Sequence, residues 1–258
     1  MERALLFGMQ VDPITEAEAV RRVYAWTDER NAPVRLIVTP NVQHAVMFQN
    51  NPELRAAYSD ASLALIDGTP LVWTLRLFGT AVPGRVTGSD LVPALFRAAK
   101  ARERGLSVYL LGAAPGVAER AATLTEAEYP GVHIVGTYSP PLGFEKDPAE
   151  NERILARVAE AAPELLVVGF GAPKQELWSH RHRQKLGARV AICAGATIDF
   201  LAGNRPRAPE WMRETGTEWM HRVLTEPRRL GPRYAADALA FPGLLWREWR
   251  ARGRAGRI

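Results

Sequence analysis

The chain has one cysteine, Cys193, so it can form no internal disulfide, and a reducing compartment is expected. Cys193 lies in the apolar run VAICAGA and reads as a buried structural thiol rather than a nucleophile. No apolar run approaches the ~20 residues a spanning helix needs. The start, MERALLFGMQVDPITEAEAV, is too briefly apolar for a signal peptide and has no cleavage-site pattern. A cytoplasmic location is therefore expected. There is no Asp-x-Asp, and His180 and His182 point different ways on a helix, so no protein-built metal site is expected. A Gly-x-Ser-x-Gly elbow is also missing, which argues against a hydrolase of that type. The turn LLGAAPGVAE, with Gly112 and Gly116, fails the dinucleotide spacing and lacks the P-loop Lys-Ser/Thr. A dehydrogenase or ATPase is thus poorly supported, and no cofactor is expected.

What is present divides unevenly. From Asn204 to Ile258 there are 12 Arg, no Lys and 6 acidic residues, giving +6, whereas residues 1–203 carry 21 basic and 22 acidic residues, giving −1. Four of the seven tryptophans, Trp211, Trp219, Trp246 and Trp249, share that basic end. Such asymmetry suggests a terminal segment that meets an anionic partner. The shift near Asn204 marks the boundary between a core, 1–203, and an appendage, 204–258. Within the core, apolar runs end in Gly, Pro or Asn: RLIVTPN (35–41), LALIDGTP (63–70), VYLLGAAPG (108–116), VHIVGTYSPP (132–141), LLVVGFGAP (165–173) and VAICAGATID (190–199). Helical stretches such as 90–105 and 152–163 lie between them. This alternation predicts an α/β fold with a doubly wound, mostly parallel, Rossmann-like sheet and a helical, Arg-rich C-terminal appendage. The appendage is expected as short helices broken at Pro227, Pro232 and Pro242.

In open α/β sheets ligands bind at the carboxyl ends of the strands. Polar residues follow several of these strands. LLVVGFGAPKQELW places Lys174, Gln175 and Glu176 after Gly169 and Gly171. TPN supplies Thr39 and Asn41. LALIDGTPLVW supplies Asp67, which could cap the next turn or act as a general base facing the crevice. RVTGSD adds Arg85 and an N-cap-like Ser89–Asp90 pair, and GATIDFLAG adds Asp199.

With TPN, DGTPLVW, RVTGSDL, GFGAPKQELW, GATIDFLAG and RAPEWMRETGTEWMHRVLTEPRRLGPRY in order, the chain resembles the bacterial WecG/TagA/CpsF glycosyltransferases, glycosyltransferase family 26, from about Thr39 to about Tyr234. That family includes N-acetylmannosaminyltransferases of wall teichoic acid and N-acetylmannosaminuronic acid transferases of enterobacterial common antigen. The resemblance implies metal-free, inverting transfer from a UDP-sugar to a polyprenyl-diphosphate-linked acceptor at the cytoplasmic membrane face. Asp67 matches the family's proposed base. Thr39, Asn41, Arg85 and Gln175 match polar residues of the pocket, Gln175 being the one expected to touch substrate. Asp199 matches a position near the nucleotide. Arg222, Arg228, Arg229 and Arg233 match the appendage thought to fold over the pocket, with Arg222 and Arg229 assigned to catalysis. Arginine suits a departing diphosphate because its planar fork binds phosphate bidentately. AFPGLLWREWRARGR fits an interfacial segment lying on an anionic bilayer, with a core-packing helix as the competing explanation of its tryptophans. The donor sugar is expected to be N-acetylmannosamine, with a uronic acid or a plain hexose as alternatives. A homo-oligomer is compatible with the sequence. A nucleic-acid-binding protein using the Arg/Trp tail is the rival class, disfavoured because the core is slightly acidic and its polar clusters gather at strand ends.

Overall fold

A computed structural model describes residues 3–29 and 32–255 of the protein. It begins with an antiparallel hairpin, β1 (Ala4–Leu6) and β2 (Met9–Val11), followed by α1 (Glu16–Asp28). The hairpin had no counterpart in the sequence reading, because two three-residue strands are too short to show a period. Strands and helices then alternate: β3 (Arg35–Val38), α2 (Val42–Asn50), α3 (Pro52–Ser59), β4 (Leu63–Ala64), α4 (Thr69–Leu77), α5 (Gly88–Ala99), β5 (Leu106–Gly112), α6 (Val117–Glu128), β6 (Val132–Tyr138), α7 (Pro148–Ala161), β7 (Leu165–Gly169), α8 (Lys174–Arg181), β8 (Val190–Cys193) and α9 (Thr197–Leu201). The tail forms α10 (Glu210–Glu214), α11 (Glu218–Thr225) and α12 (Pro227–Ala255).

All six expected strands join one sheet in the order β4-β3-β8-β7-β5-β6, with every neighbouring pair parallel. Both faces are covered. Alternation along β7 sends Leu166 and Val168 to the side holding α2, α4 and α12, and Leu165 and Val167 to the side holding α1, α5 and α9. This is the doubly wound architecture that the apolar runs implied. The chain visits β4 at one edge, crosses to β5 and β6 at the other, and returns through β7 and β8 to the middle. The strand ends at that reversal form the crevice of such sheets.

Two local expectations change. Helix α5 is capped by Thr87, whose Oγ1 accepts from the Asp90 backbone N–H at 2.9 Å, rather than by the Ser89–Asp90 pair. In the tail, Pro232 and Pro242 do not break the chain into short helices: both lie inside the 29-residue α12, which begins at Pro227. An interior proline costs roughly 3 kcal/mol by removing a backbone hydrogen bond to the residue four before it. Here those residues, Arg228 and Ala238, are exposed, so water can satisfy the released carbonyls. Packing on the other face offsets the cost. Leu230 and Leu244 are buried, Phe241 meets Phe7 of the hairpin edge-on at 5.8 Å, and the Glu248 carboxylate accepts from the Phe7 N–H at 3.0 Å. No helix among the described residues is long and apolar enough to cross a membrane.

Candidate active site

A cavity of ≈ 220 Å³ opens at the carboxyl ends of β3, β4, β7 and β8 and is roofed by the start of the tail. Of the ten residues expected there, eight line it: Thr39, Asn41, Asp67, Gln175, Asp199, Arg222, Arg229 and Arg233. Arg85 and Arg228 do not.

Asp67 follows β4 and is half-buried. Its neighbour Gly68 is the N-cap of α4, which has no side-chain cap, so the capping role open to Asp67 is not taken. Among the described residues its carboxylate accepts no hydrogen bond. Burial pushes its pKa up to about 6, a rise that Glu218 reinforces and that Arg85, Arg222 and His44 oppose. A carboxylate at this value is ionised at neutral pH yet remains a competent proton acceptor. A general base acts ionised, so with Asp67 in that role turnover should fall as pH drops through about 6, with kcat/KM at pH 5 about tenfold below its plateau. A pH–rate profile flat down to pH 5 would remove Asp67 from the base role.

The strand β7 ends at Gly169, where a Cβ would stand 3.0 Å from Ile198 Cδ1 and 3.1 Å from the Gly195 carbonyl oxygen. Glycine at 169 thus lets the end of β7 lie close against α9 and the loop before it, and Gly171, at φ +81°, turns the chain into α8. Gln175 braces this turn. Its Oε1 accepts from the backbone N–H groups of both Gly171 and Gly195, at 3.1 Å each, and its Nε2 donates to Glu176 Oε1 at 2.8 Å. The amide expected to touch substrate is thus committed to holding two glycine loops together. Glu176 is fully buried and also meets His44 Nε2 at 3.2 Å. The other side of the His44 ring rests on Asn41, whose Oδ1 accepts the His44 backbone N–H and caps α2. Thr39, largely buried, donates to the Cys193 carbonyl at 3.3 Å. A buried polar chain therefore runs from the β3 end to the glycine loops. Lys174 stands outside it, paired with Glu145 at 3.0 Å. Cys193 itself is buried, and burial pushes its thiol pKa well up.

The tail brings the cations. Arg229 pairs with Glu226 at 2.5 Å, and Glu226 also holds Arg205 at 2.8 Å. Arg205 lies 3.7 Å from Asp199, whose Oδ1 also accepts from Asn204 Nδ2 at 3.0 Å. Arg222 stacks 5.8 Å from the Phe200 ring and forms no ion pair among the described residues. Arg233 stacks on Tyr234, and its Nε is buried without an acceptor among the described residues. Arg85 lines a neighbouring cavity of ≈ 410 Å³ instead, donating to the Arg213 carbonyl at 2.7 Å and pairing with Glu218 at 3.4 Å. Glu218 draws it toward the tail, while its charge still reaches Asp67. Arg228 is exposed in the first turn of α12, on the side away from the buried Leu230. Sequence reasoning missed Gln43, His44 and Arg205, and read Ser89 only as a helix cap. His44 had a legible signal, since i and i+3 residues meet on a helix and Asn41 opens α2. Ser89 and Arg205 join the pocket only through tertiary packing. Among the described residues no three His, Cys, Asp or Glu side chains converge as a metal site.

A half-buried carboxylate shares its cavity with three arginines at the reversal point of a parallel sheet, the ligand crevice of the doubly wound α/β class. The chain belongs to the family described as "Glycosyl transferase WecG/TagA/CpsF family", whose profile matches residues 4–255, and it is a glycosyltransferase. It is 33% identical over 193 residues, 75% of this chain and 72% of the relative, to the N-acetylglucosaminyldiphosphoundecaprenol N-acetyl-beta-D-mannosaminyltransferase of Bacillus spizizenii.

Proposed function

We propose that this glycosyltransferase moves N-acetylmannosamine from a UDP-sugar to a sugar carried on a polyprenyl diphosphate, with inversion and without a metal ion. The observation that carries this reading is the meeting of Asp67 with Arg222, Arg229 and Arg233 in one cavity. Inverting transfer requires a base on the acceptor side and positive charge on the leaving-group side. In this reading Asp67 takes the proton of the acceptor hydroxyl as its oxygen attacks the anomeric carbon. The bond to UDP breaks on the opposite face, and the arginines receive the diphosphate charge. The backbone of the Gly169–Gly171 turn lets a ligand approach closely, and Gln175 holds that turn in shape. The choice of sugar and of lipid acceptor follows the activity named for the Bacillus spizizenii relative.

Residues 204–258 act in this reading as an appendage that both completes the pocket and seats the enzyme on the inner face of the cell membrane. On α12, Leu239, Trp246 and Trp249 recur at helical spacing and are exposed. Its acidic residues turn inward: Asp237 is buried, and Glu248 bonds the Phe7 N–H and Arg252. An outward face of Trp, Leu and Arg suits an anionic interface. The test is transfer from UDP-N-acetylmannosamine to a short-chain polyprenyl-diphosphate-N-acetylglucosamine in the presence of EDTA. Acceptor-dependent UDP release and a β-linked disaccharide product are expected. UDP release no faster than without acceptor would overturn the reading.

A further inference from the structure

On α4 and the N-terminal hairpin, three large apolar side chains face water. Trp73 is 63% exposed, Leu77 75% and Leu5 58%. Trp73 and Leu77, four residues apart on α4, share one helix face. Helix α4 has no acidic residue, and the exposed Arg76 lies between the two. The hairpin bearing Leu5 has none either. Arg252 joins these elements to the tail. It sits one helical turn beyond Trp249, stacks 4.7 Å from the Phe78 ring at the end of α4, and donates to the Leu5 carbonyl at 2.6 Å.

We propose that α4 and the N-terminal hairpin, and not the tail alone, form the surface that rests on an anionic lipid bilayer. The inference rests on the membrane reading of α12 and extends it to the core. Charge complementarity favours lipid as the occupant. The exposed ionic residues of α4 and of residues 239–250 on α12 are Arg76, Arg247 and Arg250, and the acids of α12, Asp237 and Glu248, are turned inward. Tryptophan concentrates at the boundary between headgroups and acyl chains, and arginine is drawn to anionic headgroups. Helix α4 begins two residues after Asp67, so a bilayer seated on it would bear on the wall of the pocket from which the proton acceptor projects.

The test is sedimentation of the full chain with vesicles of phosphatidylglycerol and phosphatidylcholine in equal parts. It compares the wild type with Trp73→Ser/Leu77→Ser and with Trp246→Ser/Trp249→Ser. Both pairs are solvent-exposed, so thermal melting should be unchanged. Each double variant should bind vesicles at least about tenfold more weakly, because each removes two large apolar groups from the contact. Wild-type-like binding by Trp73→Ser/Leu77→Ser, alongside a loss in the α12 variant, would overturn this inference alone. A change in oligomeric state with vesicle binding intact would assign the α4 face to a second copy and overturn it as well. No sedimentation of the wild type would remove the membrane reading and this inference together.

Discussion

Asp67→Asn should lower kcat by about 10²–10⁴-fold while UDP binding survives, the range by which a positioned acid–base group usually contributes. Asparagine keeps the shape of the side chain but removes its charge and its capacity to take a proton. Nothing else among the described residues changes partner, because the carboxylate accepts no hydrogen bond there. The variant should also be more stable than the wild type at neutral pH. Asp67 has its pKa raised to about 6 in the fold, so its ionisation disfavours the folded state as pH rises from about 4 through 6. At pH 7 this strain amounts to at most roughly 3 kcal/mol, which asparagine relieves. Slow turnover, intact UDP binding by calorimetry and a higher Tm would together distinguish a lost base from a damaged fold. Turnover near that of the wild type would hand the role to another carboxylate, with Asp199 the other one lining the cavity.

Arg222→Ala should lower kcat/KM by about 10²–10³-fold, the scale of losing one preorganised charge at a developing oxyanion. Arg222 reaches the cavity from α11 and, unlike Arg229 and Arg205, has no carboxylate partner among the described residues. Its guanidinium is therefore free to serve a phosphate without first giving up an ion pair. A second readout separates this role from simple packing on Phe200. Arg222 lowers the pKa of Asp67, so its removal should move the acidic limb of the pH–rate profile above about 6. Arg222→Lys keeps the charge and should hold the limb in place while recovering part of the rate. A limb unmoved in Arg222→Ala, with turnover intact, would mean that the arginine is structural.

The elements differ in how far the sequence alone could carry them. Six apolar runs closed by Gly, Pro or Asn became the six parallel strands, because burial on both faces of a sheet demands continuous apolar sequence. The same rule put Thr39, Asn41, Asp67 and Gln175 at strand ends, and eight of the ten expected residues meet in one cavity. What each side chain does there was not legible. Gln175 faces the cavity but spends its amide on Gly171 and on Gly195, the latter twenty residues further along the chain from Gln175. Arg85 sits in the next cavity because Glu218, 133 residues away, holds it there. The unbroken α12 was hidden for a similar reason. Local propensity counts the cost of Pro232 and Pro242, and only packing against Phe7 and the core supplies what offsets it.

Composition and pattern by themselves determined the layered α/β fold, the strand ends that gather at the cavity, and the charge that sets the tail apart from the core. Those properties follow from periodicity and net charge, which are local sums over neighbouring residues. The tertiary structure alone decided which polar groups face the cavity unspent and which are satisfied by one another. Hydrogen bonds and ion pairs form between groups brought together by the whole fold, and a buried donor takes whatever acceptor packing provides. It is also the fold that sets the arginines of α11 and α12 opposite Asp67, some 155 residues away along the chain for Arg222.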